Sequence, residues 1–208
     1  MRTFGSFTFD VVEKQFNIQE VKNLPLLLEW LSASYQENEY KTYQLNDLKE
    51  ELADKARIWN EDELKMFFIG PLIKSVNLST KDFQPFTQRL FSFKTEVEEI
   101  GGRIDFLIAK GRRVPELPFF CIHEYKQETD KEGDPLGQLL IAMVAAQKLN
   151  EKNMPILGAY VVGRNWFFVV LAENEYSLSK EYDASSEDIF QIFAILQKSK
   201  ELIQRFIS

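Results

Sequence analysis

Pro118-Phe119-Phe120-Cys121-Ile122-His123-Glu124-Tyr125-Lys126-Gln127 opens as a continuous apolar run and closes polar. That pattern predicts a central strand covered on both faces, whose far end opens into a site. Working outward, Phe91, Phe93, Thr95 and Val97 alternate with polar residues, as do Ile104, Phe106 and Ile108. Both stretches have the period of half-buried strands. Gly101-Gly102 is a turn signal between them. Three strands so close in sequence suit an antiparallel meander.

Downstream, residues 128–134 predict a polar loop that ends in Asp134-Pro135, a cap and first-turn pair for a helix over 136–150. That helix can cross over to a strand at 156–162. Gly163-Arg164-Asn165 then turns into a strand beginning at Trp166, and an amphipathic helix is predicted over 186–206. Upstream, Asn60 reads as an N-cap, with Glu61, Asp62 and Glu63 in the first turn, where acids complement the helix dipole. Leu64, Phe67, Phe68 and Leu72 carry that helix to about Val76, with a kink expected at Pro71. Helices are also predicted at 24–37 and 45–58, and residues 1–20 read as a strand or an irregular arm. The order predicts an α/β fold, a mixed central sheet flanked by helices.

Asp105 lies on the second strand; Glu124 and Lys126 lie two apart on the third and share a face. Carboxylates on adjacent strands can chelate a hard divalent cation such as Mg2+ or Mn2+, which takes oxygen ligands. A bound cation acidifies its water and neutralises phosphate charge, and a neighbouring lysine can orient the nucleophile. Lys110, Arg112 and Arg113 form a small basic cluster, readable as a solvated turn or as phosphate contacts at the rim. His123, the only histidine, alternates to the face opposite Glu124, which predicts core packing. Cys121 shares that face.

Gly102-Arg103-Ile104-Asp105, with Ile122-His123-Glu124-Tyr125-Lys126 following, resembles the split D…ExK motif of the PD-(D/E)XK nucleases. The resemblance covers roughly residues 58–172 and implies a restriction-endonuclease-like core. It implies Asp105 and Glu124 as metal ligands and Lys126 as the residue that assists the water. Asn60-Glu61-Asp62-Glu63 with Phe68-Ile69-Gly70-Pro71 is similar to the helix that opens type I restriction-enzyme nuclease domains. On that likeness Glu61 is a third metal ligand, with Glu63 in reserve, and Gln138 is a site glutamine from the crossover helix. The motif departs from the family pattern in having Ile104 before Asp105 where proline is usual, and Ala142 where some members carry tyrosine.

The chain has 208 residues and a formal net charge of -7. A strongly basic chain would advertise nucleic-acid binding; here any such binding needs a local basic face. One cysteine excludes an intrachain disulfide and fits a reducing, cytoplasmic setting. No run reaches the roughly 18 apolar residues of a spanning helix, so no membrane partner is expected. The domain expectation is an N-terminal arm over 1–57, a route to a homodimer or a protein partner, and a nuclease-like domain over 58–208. The functional expectation is a metal-dependent phosphodiesterase on nucleic acid, with DNA as the substrate. The rivals are a catalytically weak or inactive module of the same fold that binds nucleic acid or protein, and a purely structural protein whose charged residues form an ion-pair cluster.

Overall fold

A computed structural model describes residues 1–129, 133–150 and 154–207. The chain opens with β1 (Arg2–Thr3), a 3-10 turn at Phe4–Ser6, α1 (Phe9–Phe16) and β2 (Gln19–Glu20). Helices α2 (Pro25–Leu31) and α3 (Glu39–Lys55) follow. A helical stretch then runs in three parts: α4 (Glu61–Leu64), a π-helical turn (Lys65–Ile69) and α5 (Gly70–Val76). Next come β3 (Gln84–Lys94), β4 (Glu99–Lys110), β5 (Glu116–Lys126) and α6 (Pro135–Leu149). The chain finishes with β6 (Ile156–Val162), β7 (Asn165–Ala172), β8 (Glu175–Leu178), β9 (Tyr182–Asp183) and α7 (Asp188–Ile207).

All the strands join one mixed sheet in the order β1-β4-β5-β6-β7-β8-β2, with β3 also on β4 and β9 on β7. Strands β3, β4 and β5 form the antiparallel meander. Helix α6 then crosses over to β6, which lies parallel to β5. Alternation along the strands separates two cores. Trp166, Phe168 and Val170 of β7 join one cluster, with Trp30, Leu52, Leu64, Phe68 and Ile192 of the helices. Val169 and Leu171 join the other, with Phe4, Phe7, Val12 and the inner residues of α6. Helix α6 is buried continuously from Leu139 to Ala146, as expected of a helix that is apolar all round. The sheet covers one side of it and the N-terminal segment another.

Residues 1–57 contribute to both cores. Strand β1 pairs with β4 and β2 pairs with β8. Trp30 donates its indole N–H to the Ile195 carbonyl at 2.8 Å, fixing α2 against α7.

The expected strand or irregular arm over 1–20 contains the helix α1, whose Val12 is buried against α6. The expected turn at Gly101-Gly102 lies inside β4 instead, and the chain reverses at Thr95–Glu98, where the Thr95 N–H reaches the Glu98 carbonyl at 2.9 Å. Close packing accounts for the glycines: a Cβ on Gly102 would stand 2.7 Å from the Phe4 ring, and one on Gly101 2.5 Å from the Ser92 Cβ. Helix α2 stops at Leu31, short of the expected 37, and the Gln191 side-chain amide there donates to the Leu31 and Ala33 carbonyls at 3.0 and 2.8 Å. Where Pro71 was expected to kink a helix, the Gly70 N–H bonds the Lys65 carbonyl, closing a π turn. Of the expected loop at 128–134, residues 130–132 lie outside the described residues.

Asp134 caps α6 through the Gly137 N–H at 2.9 Å, and its other oxygen accepts the Phe9 N–H of α1 at 2.6 Å. Gly137 permits this approach, since a Cβ there would lie 2.6 Å from the Phe7 carbonyl oxygen. A single N-cap is worth about 0.5–2 kcal/mol, and a chain of this size shifts by roughly 2–4 °C per kcal/mol. Asp134→Ala should therefore lower the thermal midpoint by several degrees, with Asp134→Asn losing less, as followed by circular dichroism.

Candidate active site

The site lies where two neighbouring strands part. The β4–β5 ladder runs from Lys110↔Glu116 to Phe106↔His123 and stops there. Beyond it β4 continues beside β3, while β5 continues beside β6 through Glu124↔Tyr160 and Lys126↔Val162. Asp105 and Glu124 are the first residues past the fork. Asp105 Oδ2 accepts the Tyr125 backbone N–H at 2.9 Å, replacing the ladder bond that the parting removes.

Strand β3 supports Asp105 from its other edge. Gln88 adopts a left-handed conformation, with φ 54°, while its neighbours keep register as Thr87↔Phe106 and Arg89↔Ile104. Its side-chain amide donates to Asp105 Oδ1 at 2.7 Å, and its carbonyl accepts from Arg103 at 3.0 Å.

Helix α4 brings a third carboxylate. Asn60 and Glu63 close a reciprocal capping box at 2.8 and 2.9 Å, which commits Glu63 to the backbone. Glu61 bonds Lys65, one turn on, at 2.5 Å. Lys65 in turn contacts Asp105 Oδ1 at 2.6 Å. Lys126 lies 3.1 Å from Glu124 and 3.8 Å from Glu61. Three carboxylates and two ammonium groups thus form one connected cluster.

Burial is deep enough to alter the chemistry. Asp105 and Glu124 side chains are only 11% and 14% exposed. Burial, and then the Asp105 charge, push the Glu124 carboxyl up to about 7, against the pull of Lys126. For Lys65 and Lys126, burial opposes the charged form, but the adjoining carboxylates outweigh it and hold both above the ordinary lysine value.

Asp105, Glu124, Lys126 and Glu61 are therefore brought together. Gln138 is not: its amide lies by Gly133 and Gly5 at the start of α6, and among the described residues no hydrogen bond joins it to the cluster. Arg112 and Arg113 line a groove of about 710 Å³ that reaches Asp105 and Lys65. Lys110 is outside that lining and sits opposite Glu116 in the ladder. His123 is buried as expected, stacked on Phe106 at 4.7 Å and bonded to the Tyr125 hydroxyl at 2.8 Å. Burial pushes it down to about 3, so it stays neutral. Sequence reading missed Lys65 and Gln88. The i,i+4 spacing from Glu61 was a usable signal for Lys65; Gln88 has none, because its role depends on a backbone irregularity.

No protein-family model matches the chain, and no curated protein is significantly similar to it. Among the described residues no helix is long and apolar enough to cross a membrane. Also among them, no three His, Cys, Asp or Glu side chains converge on a metal-sized point as they stand. Between Glu61 and Asp105 that place is taken by the Lys65 ammonium.

The Glu124 shift fixes a sign. A carboxyl raised in the folded state favours folding below its unfolded value of about 4.5 and loses that contribution as pH climbs towards 7. Relative to wild type, Glu124→Gln should gain stability across that interval, by several degrees at pH 7.5 and little at pH 4. Thermal melts across the range check this; a constant gap would contradict the burial of the charge.

Proposed function

We propose that the chain is a metal-dependent phosphodiesterase acting on nucleic acid, with DNA as the substrate, built on a restriction-endonuclease-like core. The observation that carries this reading is the convergence of Asp105, Glu124 and Lys126 on a fork between β4 and β5, with Glu61 arriving from the preceding helix. The donor set suits magnesium or manganese in kind, since every candidate ligand is an oxygen. The raised Glu124 carboxyl supports the fit as well, because burial beside Asp105 leaves that position short of positive charge.

Glu61, Asp105 and Glu124 would hold the ion. When bound it would supply a more acidic water and neutralise charge on the phosphate. Lys126, fixed by Glu124, points an ammonium at the same place and can orient the attacking water and offset developing negative charge. Gln88 and the Tyr125 N–H hold both oxygens of Asp105, so the carboxylate is oriented before any ligand arrives. Lys65 must swing away from at least one of its two carboxylates to admit the ion.

That bridging position of Lys65 favours a second reading, in which the cluster is a permanent ion-pair network and the chain is a nuclease-fold binding module. The two readings diverge in calorimetry with Mn2+ or Mg2+ followed by plasmid nicking. A nuclease binds the ion, Asp105→Ala loses that binding, and Lys126→Ala keeps its circular dichroism spectrum while nicking falls at least roughly 100-fold. Wild-type protein that binds no ion and nicks nothing would select the binding module.

A further inference from the structure

The groove that ends at Asp105 and Lys65 has walls of two kinds. One side comes from the π turn and α5, where Met66 and Ile73 line it together with Pro85 of β3. Lys74, Arg89, Arg112 and Arg113 stand along the same groove. None of the four makes a salt bridge among the described residues, in a chain with 32 acidic residues against 25 basic ones. Arg89 Nε is buried without a hydrogen-bond partner, which is costly unless something supplies one. The turn that carries Arg112 and Arg113 is held in place. The Gln84 amide donates to the Gly111 and Arg112 carbonyls at 2.8 and 2.6 Å, and Gly111 takes a φ of 97° there. The two arginines are thereby presented at the groove.

Unpaired cations beside apolar side chains are what a single nucleic-acid strand requires, with phosphates on one side and bases on the other. The size agrees. A volume near 710 Å³ is that of a site for a molecule of drug size, roughly 300–1,000 Å³. It admits a short stretch of one strand.

We infer that this groove binds an unpaired strand and leads it to the carboxylate cluster, so that the substrate is single-stranded nucleic acid or a single-stranded end. The inference rests on the reading of the cluster as a site for nucleic acid, but binding can be tested without cleavage. Fluorescence anisotropy in EDTA, with a labelled thymidine oligonucleotide and a duplex of equal length, measures it directly. The single strand should bind at least tenfold tighter than the duplex. Arg112→Ala/Arg113→Ala should weaken it about tenfold and flatten the slope of log K against log salt by about one to two. Arg89→Ala should weaken it too, while Lys14→Ala on α1 should leave it unchanged. Equal or tighter binding of duplex, or single-strand binding indifferent to Arg89, Arg112 and Arg113, overturns the inference even if the protein cuts DNA. Single-strand binding of the expected kind by a protein that cuts nothing upholds the groove and removes the nuclease.

Discussion

The Asp105 carboxylate accepts the Tyr125 N–H at the point where β4 and β5 leave each other. A sheet that splits strands an unsatisfied donor on one edge and an acceptor on the other, and burial makes each expensive. Here a side chain takes the place of the missing backbone partner. The fork can then remain open without exposing β5 to water, and the residues after it on both strands turn towards a shared space. Gln88 performs the complementary task on β3, leaving the regular strand conformation so that its amide can hold the second Asp105 oxygen. The position of the cluster follows from the backbone at the fork.

The cluster sets three carboxylates against two ammonium groups. Ammonium groups are single-point cations on flexible stems, and Lys65 spans two carboxylates from a half-buried position. Taking away one member of such a buried set leaves its partners uncompensated. Exchanging one cation for another does not. Glu124 occupies the least compensated corner, where burial and Asp105 act together against ionisation. Within the cluster, burial and the Asp105 charge weigh on Glu124.

Periodicity made the meander, the crossover helix and the β6–β7 hairpin legible, because those elements lie between layers and their alternation records the layering. Asp105, Glu124 and Lys126 were legible for the same reason: strand parity assigns a face. Elements held by particular contacts were not. Helix α1 mixes apolar and polar positions because it covers α6 on one side only. Gly101 and Gly102 carry the composition of a turn, yet they are small because Phe4 and Ser92 lie against them. Gln88 became a site residue through a left-handed backbone position, which a hydrophobic pattern does not record, and Lys65 through its charge spacing one turn after Glu61, which an apolar pattern passes over.

The bond from Asp134 to the Phe9 N–H joins residues 125 apart in the chain. Synthesis at about 5–20 residues per second separates their appearance by roughly 6–25 s. Throughout that interval Phe4, Phe7 and Val12 have been made but the helix that buries them has not. The earliest part of the chain thus waits for α6 before its apolar side chains can be buried. A contact of such sequence separation also slows folding, since the loop must close before the contact can reward it.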